Sequence, residues 1–421
     1  MKYIKICLPI FLVAVILVSA AGCSATRPGS ATVRAIDLMD GVSSNHVDAR
    51  PADAAFTDNV ADFSIELFKI SMEETENSMI SPLSVMLALS MAANGARGET
   101  LAQMEALLGR DIPLEALNEY LYSYVSGLQS EDNSKLHIAN SIWFRDYEDI
   151  LQVEPDFLQR NADYYGAAAY RSAFDAQTLK DINNWVKANT DGMIDEMLSE
   201  IKAEHMLFLI NAITFDAEWL DMYSEYNISK GDFTDINGVV KSVDLMRSSE
   251  YLYINEETAT GFIKPYVNGG YSFVALLPKP GISIYEYVES LTGTGFLDMI
   301  DRAKGNLIKI ETFMPKFEYE YEITMNGVLE SLGMTNAFDR GLADFRDMAA
   351  SPVGNLFIGE VLHKTFISVD ERGTRAGAAT SVNAELLSGP LATVRLDRPF
   401  VFAIIDDATN IPIFMGTLMT V

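Results

Sequence analysis

Four histidines, His46, His137, His205 and His363, are the side chains best suited to bind a transition metal or to move a proton near neutrality, and they are scattered along the chain. None stands in an H-E-x-x-H pair or in Cys/His finger spacing, so no metal is expected. There is no G-x-S-x-G nucleophile elbow, no G-x-x-x-x-G-K-[ST] loop and no G-x-G-x-x-G after a strand. Gly95-Ala96-Arg97-Gly98 lacks the lysine of a phosphate loop and follows a helical pattern where such a loop precedes one. The carboxylates are many, but abundance without a recognisable spacing describes a solvated surface and not an acid/base pair. The chain therefore does not read as an enzyme, and no cofactor is expected.

The residues that stand out chemically lie between Glu371 and Pro390. Every second residue from Thr374, namely Thr374, Ala376, Ala378, Thr380, Val382, Ala384 and Leu386, is apolar or small. The alternate set, Arg375, Gly377, Ala379, Ser381, Asn383 and Glu385, is polar or tiny. Period-two alternation is the pattern of a strand with one buried face. Yet the stretch is rich in Ala and Gly, poor in β-branched residues at its start, and ends in Ser388-Gly389-Pro390, all of which favour a loop. The stretch is thus written for a strand that need not always be one. Insertion into a sheet would bury its inward side chains at a fraction to about 2 kcal/mol each, a total comparable to the roughly 5 to 15 kcal/mol that holds a whole domain together.

The rest of the chain supplies elements for such a movement. At 421 residues and 49% hydrophobic content it can build a sizeable core. Its 31 Lys and Arg face 59 Asp and Glu, a net charge of -28, which argues against nucleic acid as a partner because the phosphate backbone is bound through basic side chains. Lys2 and Lys5 precede an apolar run from Leu8 to Val18, followed by Ser19-Ala20-Ala21-Gly22-Cys23. This reads as a signal peptide over 1–22 that is too short for an ordinary spanning helix. The small residues before the cysteine resemble the lipobox of bacterial lipoproteins, which implies a lipid on Cys23, export and attachment to a membrane. Removal of Cys7 and lipidation of Cys23 leave no thiol for a disulfide. Residues 23–52, rich in Ser, Ala, Gly and Asp, read as a flexible tether, and 53–421 as one domain with no further linker.

Phe56, Val60, Phe63 and Leu67 share one helical face. Ser81 and Pro82 open a nearly all-apolar helix to Ala93, closed by Asn94 and Gly95; a helix apolar all round belongs deep in the core. Thr178 to Asn189 reads as another helix. Strand-like runs cover 136–145, 207–215, 271–277, 307–317, 361–369, 393–396, 400–405 and 411–418. Helices early and strands late predict an α+β fold with large, mostly antiparallel sheets.

Across residues 55–421 the motifs resemble the serpin family. The carriers are Asn77-Ser78-Met79-Ile80-Ser81-Pro82-Leu83-Ser84 with Gly95-Ala96-Arg97-Gly98-Glu99-Thr100, then Asn184-Trp185-Val186 with Thr190 and Gly192. Leu209 to Phe215 with Trp219, Met314-Pro315-Lys316-Phe317, Leu332-Gly333-Met334, Ala337-Phe338 and Ala343-Asp344-Phe345 continue in order. The stretch His363 to Thr380, Asp397-Arg398-Pro399-Phe400 and Phe414-Met415-Gly416 complete the series.

The resemblance implies three β-sheets, eight or nine helices and an exposed reactive loop at about 373–396, in a monomer whose partner is a target serine protease. Such a protease cleaves the loop and forms an acyl-enzyme, and the loop then inserts into the main sheet and traps it. The implied hinge is Glu371, Gly373, Thr374, Ala376, Ala378 and Thr380; Arg375 and Gly377 depart from the usual glutamate and alanine. Counting from Glu371 places the scissile bond at Leu387-Ser388, with Leu386-Leu387 as the alternative. Leucine there suits chymotrypsin-, elastase- or subtilisin-like enzymes. Ser81, Ser84, Asn211 and His363 match the polar shutter beneath the point where the sheet opens. Trp219 matches the upper opening point, and Lys316 with Glu371 an ion pair there worth under about 1 kcal/mol when exposed. The family also holds members that bind or store without trapping, and members that inhibit cysteine proteases. The hinge has no inward charge or proline, which favours trapping.

Overall fold

The computed structural model describes residues 33–146, 151–350, 354–374 and 389–421. Asp53 caps α1 (Ala54–Ser71) by accepting from the Phe56 N–H at 3.0 Å. Ser81 caps α2 (Pro82–Ala93), every residue of which is buried, as its nearly all-apolar sequence requires. Gly95 follows because a Cβ there would lie 2.3 Å from that of Met348. The remaining helices among the described residues are α3 (Gly98–Leu108), α4 (Leu114–Gly127), α5 (Pro155–Tyr165), α6 (Ala176–Asn189), α7 (Ile284–Ser290), α8 (Gly293–Gly305) and α9 (Asn326–Ser331).

Among the described residues, three sheets complete an α+β fold. The first has seven strands in the order β1 (Ile36–Asp37), β5 (Ala168–Ser172), β3 (Ser134–Arg145), β6 (Leu207–Glu218), β15 (Gly373–Thr374), β14 (Glu360–Val369) and β12 (Phe317–Thr324). The nine-stranded second sheet runs β16 (Ala392–Arg395), β11 (Leu307–Pro315), β8 (Val240–Asn255), β9 (Ala259–Pro265), β10 (Tyr271–Pro278), β17 (Phe400–Asp406), β18 (Pro412–Leu418) and β2 (Ser78–Ile80), with β7 (Ile228–Thr234) paired to β8. A two-stranded third sheet joins β4 (Gln152–Val153) to β13 (Ala349–Ala350).

The central strand β6 is buried on both faces, the reason its sequence is largely apolar, with Asn211 and Thr214 as buried polar exceptions. Leu207, Leu209, Ile213, Phe215 and Ala217 enter the main core, while Phe208, Ile210 and Ala212 join a second core with Trp143, Ile182 and Trp185. The run 307–317, which reads as one strand, divides at Lys316. Pro315 ends β11 against Leu245 of the second sheet, and Phe317 begins β12 against Val369 of the first. Strand β12 lies at a sheet edge and turns Glu318, Glu320 and Glu322 to solvent, charges that discourage pairing with another chain.

Composition marks residues 23–52 as a tether, and for 33–39 the structure corrects that reading. Ile36 and Asp37 pair with Arg171 and Tyr170 at the edge of the first sheet, and Met39 is buried. The buried Asp181 carboxylate accepts from the Arg34 and Ala35 N–H groups at 3.0 and 2.9 Å. These are backbone bonds to a distant side chain and a free sheet edge, so composition carries no trace of them. Replacing Asp181 with alanine should speed amide exchange at Ala35 to Leu38 by at least about tenfold, since hydrogen bonds to a charged group contribute roughly 1.5 to 3 kcal/mol each. Exchange measured by mass spectrometry checks this; unchanged protection would show that the β-ladder alone holds the segment.

Candidate functional site

The seven-stranded sheet is closed at one end and wedged open at the other. Strands β6 and β14 pair in parallel from Phe208↔Glu360 to Asn211↔His363. Beyond that point, among the described residues, no ladder joins 212–216 of β6 to 364–368 of β14. At the far end β15 stands between them, with Gly373 opposite Glu218 and Thr374 opposite both Ala217 and Val369. A Cβ on Gly373 would lie 2.0 Å from the Ala217 carbonyl oxygen, so only glycine lets the chain enter here. Thr374 is 2% exposed, and its hydroxyl meets the Tyr266 hydroxyl at 2.6 Å.

The segment leading into β15 is held by aromatic residues. Trp219 donates from its indole Nε1 to the Asp370 carbonyl at 2.9 Å and from its backbone to the Arg372 carbonyl at 2.8 Å. The Tyr223 N–H reaches the Glu371 carbonyl at 2.9 Å. Trp219 stacks on Tyr266 with ring centroids 4.5 Å apart. Lys316 bonds Glu371 and holds that carboxyl below the usual carboxylate range. Both side chains are about a third exposed at 30% and 32%, so water screens the pair and its contribution stays under about 1 kcal/mol.

At the closed end, Ser81, Ser84, Asn211 and His363 are brought together and buried. His363 accepts the Ser81 N–H on Nε2 at 3.0 Å, which places its own proton on Nδ1. The Ser81 hydroxyl donates to the Ile413 carbonyl at 2.7 Å. Asn211 donates from Nδ2 to Asn140 Oδ1. Among the described residues, His363 Nδ1, Asn211 Oδ1 and the Ser84 hydroxyl have no partner. Burial lowers the His363 pKa to about 4, leaving the imidazole neutral at physiological pH. A neutral imidazole and an orphaned amide oxygen beside the strand junction offer one donor and one acceptor to an arriving hydroxyl.

Cys23, Ala376, Ala378, Thr380, Leu386, Leu387 and Ser388 lie outside the described residues. Sequence reasoning does not single out Tyr223, Lys264, Tyr266 or Asn140. Asn140 leaves a signal, as an amide within an otherwise strand-like run, and Lys264 another, as a charge within a largely apolar one. Among the described residues no cluster of His, Cys, Asp and Glu is arranged to hold a metal, and no helix is long and apolar enough to cross a membrane.

Comparison with known proteins agrees with this geometry. A family model described as Serpin (serine protease inhibitor) matches residues 58–421. The chain is 32% identical over 367 residues to human Serpin B8, covering 84% of this chain and 96% of that one. It is 29% identical over 374 residues to the mouse leukocyte elastase inhibitor A, with coverage of 84% and 96%. Among solved structures, the native state of the thermophilic serpin tengpin superposes with a TM-score of 0.89 at 53% identity, covering 92% of this chain and all of that one. With its open-ended sheet, the glycine and threonine seated in that opening and the family match over nearly all of the described chain, the protein belongs to the serpin family, a family described as serine protease inhibitors and not as enzymes.

Proposed function

We propose that the protein is an inhibitory serpin that acts as a monomer on serine endopeptidases with an apolar primary pocket, of the chymotrypsin, elastase or subtilisin kind. The observation that carries this reading is the register of β15. Continued antiparallel to both neighbours, it would bring Ala376 opposite Phe215 and Ile367, Ala378 opposite Ile213 and Thr365, and Thr380 opposite Asn211 and His363. Small side chains thus arrive on the face turned to the main core, and Arg375 and Gly377 on the other. The Thr380 hydroxyl would arrive where Asn211 and His363 still lack a bond, and its insertion would begin to part the β6–β14 ladder.

The protease serine attacks the Leu387 carbonyl carbon, the Ser388 amine leaves, and an ester joins Leu387 to the enzyme. Strand insertion then carries the ester and its enzyme along the sheet. Each new ladder hydrogen bond contributes about 0.5 to 1.5 kcal/mol, so insertion is downhill once cleavage frees the strand's far end. The lysines, apolar run and small residues before Cys23 support export and a lipid anchor on that cysteine; Cys23→Ser should release the protein from the membrane fraction.

Incubating residues 24–421 with chymotrypsin, pancreatic elastase, subtilisin and trypsin tests the inhibitor reading. The expected result is a denaturant-resistant covalent band with the first three and a released peptide beginning at Ser388. Complete cleavage with every protease still active would sink the reading and leave a binding or substrate role.

A further inference from the structure

A buried ion pair lies between the supports of the reactive loop's two ends. Lys264 on β9 and Glu250 on β8 are 1% and 5% exposed, and the ammonium lies 2.7 Å from the carboxylate. Burial alone would push the lysine pKa down, but the neighbouring carboxylate more than offsets this and keeps it charged. The cation also stands 4.5 Å from the Tyr223 ring centroid and 5.6 Å from that of Trp219, within reach of a cation–π attraction. These are the two residues that bind the chain at 370–372. On the opposite side, the Ser248 hydroxyl donates to Glu250 at 2.6 Å and meets the Thr312 hydroxyl at 2.8 Å. Thr312 belongs to β11 and pairs with Val394 of β16, the strand that follows the loop.

Such a pair is a poor way to stabilise a core, because desolvating two charges opposes their attraction and apolar replacements are often neutral or better. What it does supply is direction, since an ammonium fixes its distance from one carboxylate and from two ring faces. We propose that Lys264 and Glu250 are positioning residues that hold Trp219 and Tyr223 closed over residues 370–372, and so slow insertion of the loop while it is still intact. The inference deepens the trapping reading and rests on it only for the consequence, which is that the protein stays competent until a protease cuts.

The test compares the full chain with E250M/K264M, which removes both charges, and with K264R, which keeps the cation. At a fixed elevated temperature, each is sampled for susceptibility of the 375–388 segment to subtilisin, because an intact loop that has entered the sheet escapes cleavage. E250M/K264M should lose susceptibility at least about fivefold faster with an unchanged or higher melting temperature, while K264R stays near the natural rate. Equal rates in all three would overturn the inference. So would faster loss in K264R as well, or faster loss in E250M/K264M matched by a lower melting temperature, since either points to packing alone. Should the natural chain form no covalent complex with any protease, the trapping reading fails, and the same rates still decide whether the pair restrains the loop.

Discussion

On the proposed trapping mechanism, Thr374→Arg should leave the protein a substrate that no longer traps. Thr374 is buried between β6 and β14, and the partner of its hydroxyl is the neutral hydroxyl of Tyr266. An unpaired buried charge costs several kcal/mol, which slows insertion by at least about a hundredfold at 1.4 kcal/mol per tenfold. Deacylation then precedes insertion, the loop is cut, and the enzyme walks away. Titration of chymotrypsin should show inhibition near one-to-one for the natural protein and for Thr374→Ser, and cleavage of the arginine variant without a covalent band. A persistent complex with Thr374→Arg would show that entry at this point does not limit trapping.

Acid should weaken the native state through His363. Its pKa is lowered from 6.5 to about 4 by burial. Above pH 6.5 the imidazole is neutral whether the chain is folded or not, and it contributes its full share of stability. As pH falls below 6.5 the unfolded chain takes up a proton that the folded chain refuses, so that share is lost progressively and exhausted near pH 4. The loss is on the order of 3 kcal/mol. Urea unfolding of the native state at pH 7.5, 6.0, 5.0 and 4.5 should show a midpoint that falls steeply, and His363→Gln should flatten part of that slope. Parallel slopes for the two proteins would mean that carboxylates alone set the acid response.

Much of this was legible in the chain itself. The nearly all-apolar run from Pro82 to Ala93, with Ser81 before it, determined a buried capped helix, because each face of such a helix is dominated by apolar side chains. The largely apolar run of β6, interrupted at Asn211 and Thr214, determined a strand covered on both sides. The alternation from Thr374 onward determined which residues can face a core without a charge, since side chains alternate across any strand. Gly373 and Thr374 stand in the sheet where that alternation begins.

Other features exist only through tertiary contact. Strand β12 reads as polar because it is an edge, and edges carry charge. Lys264 sits in a largely apolar strand, and nothing local discloses that Glu250, on the adjacent strand β8, receives it. The anchoring of 33–39 depends on Asp181 and on an unpaired strand edge far along the chain. The orphaned atoms of Asn211 and His363 acquire meaning from the register that aligns them opposite one another. Patterns of burial repeat along a strand or helix and can be read from residue spacing. Pairings between distant polar groups are set by which segments the packed sheets bring together, and spacing along the chain holds no record of them.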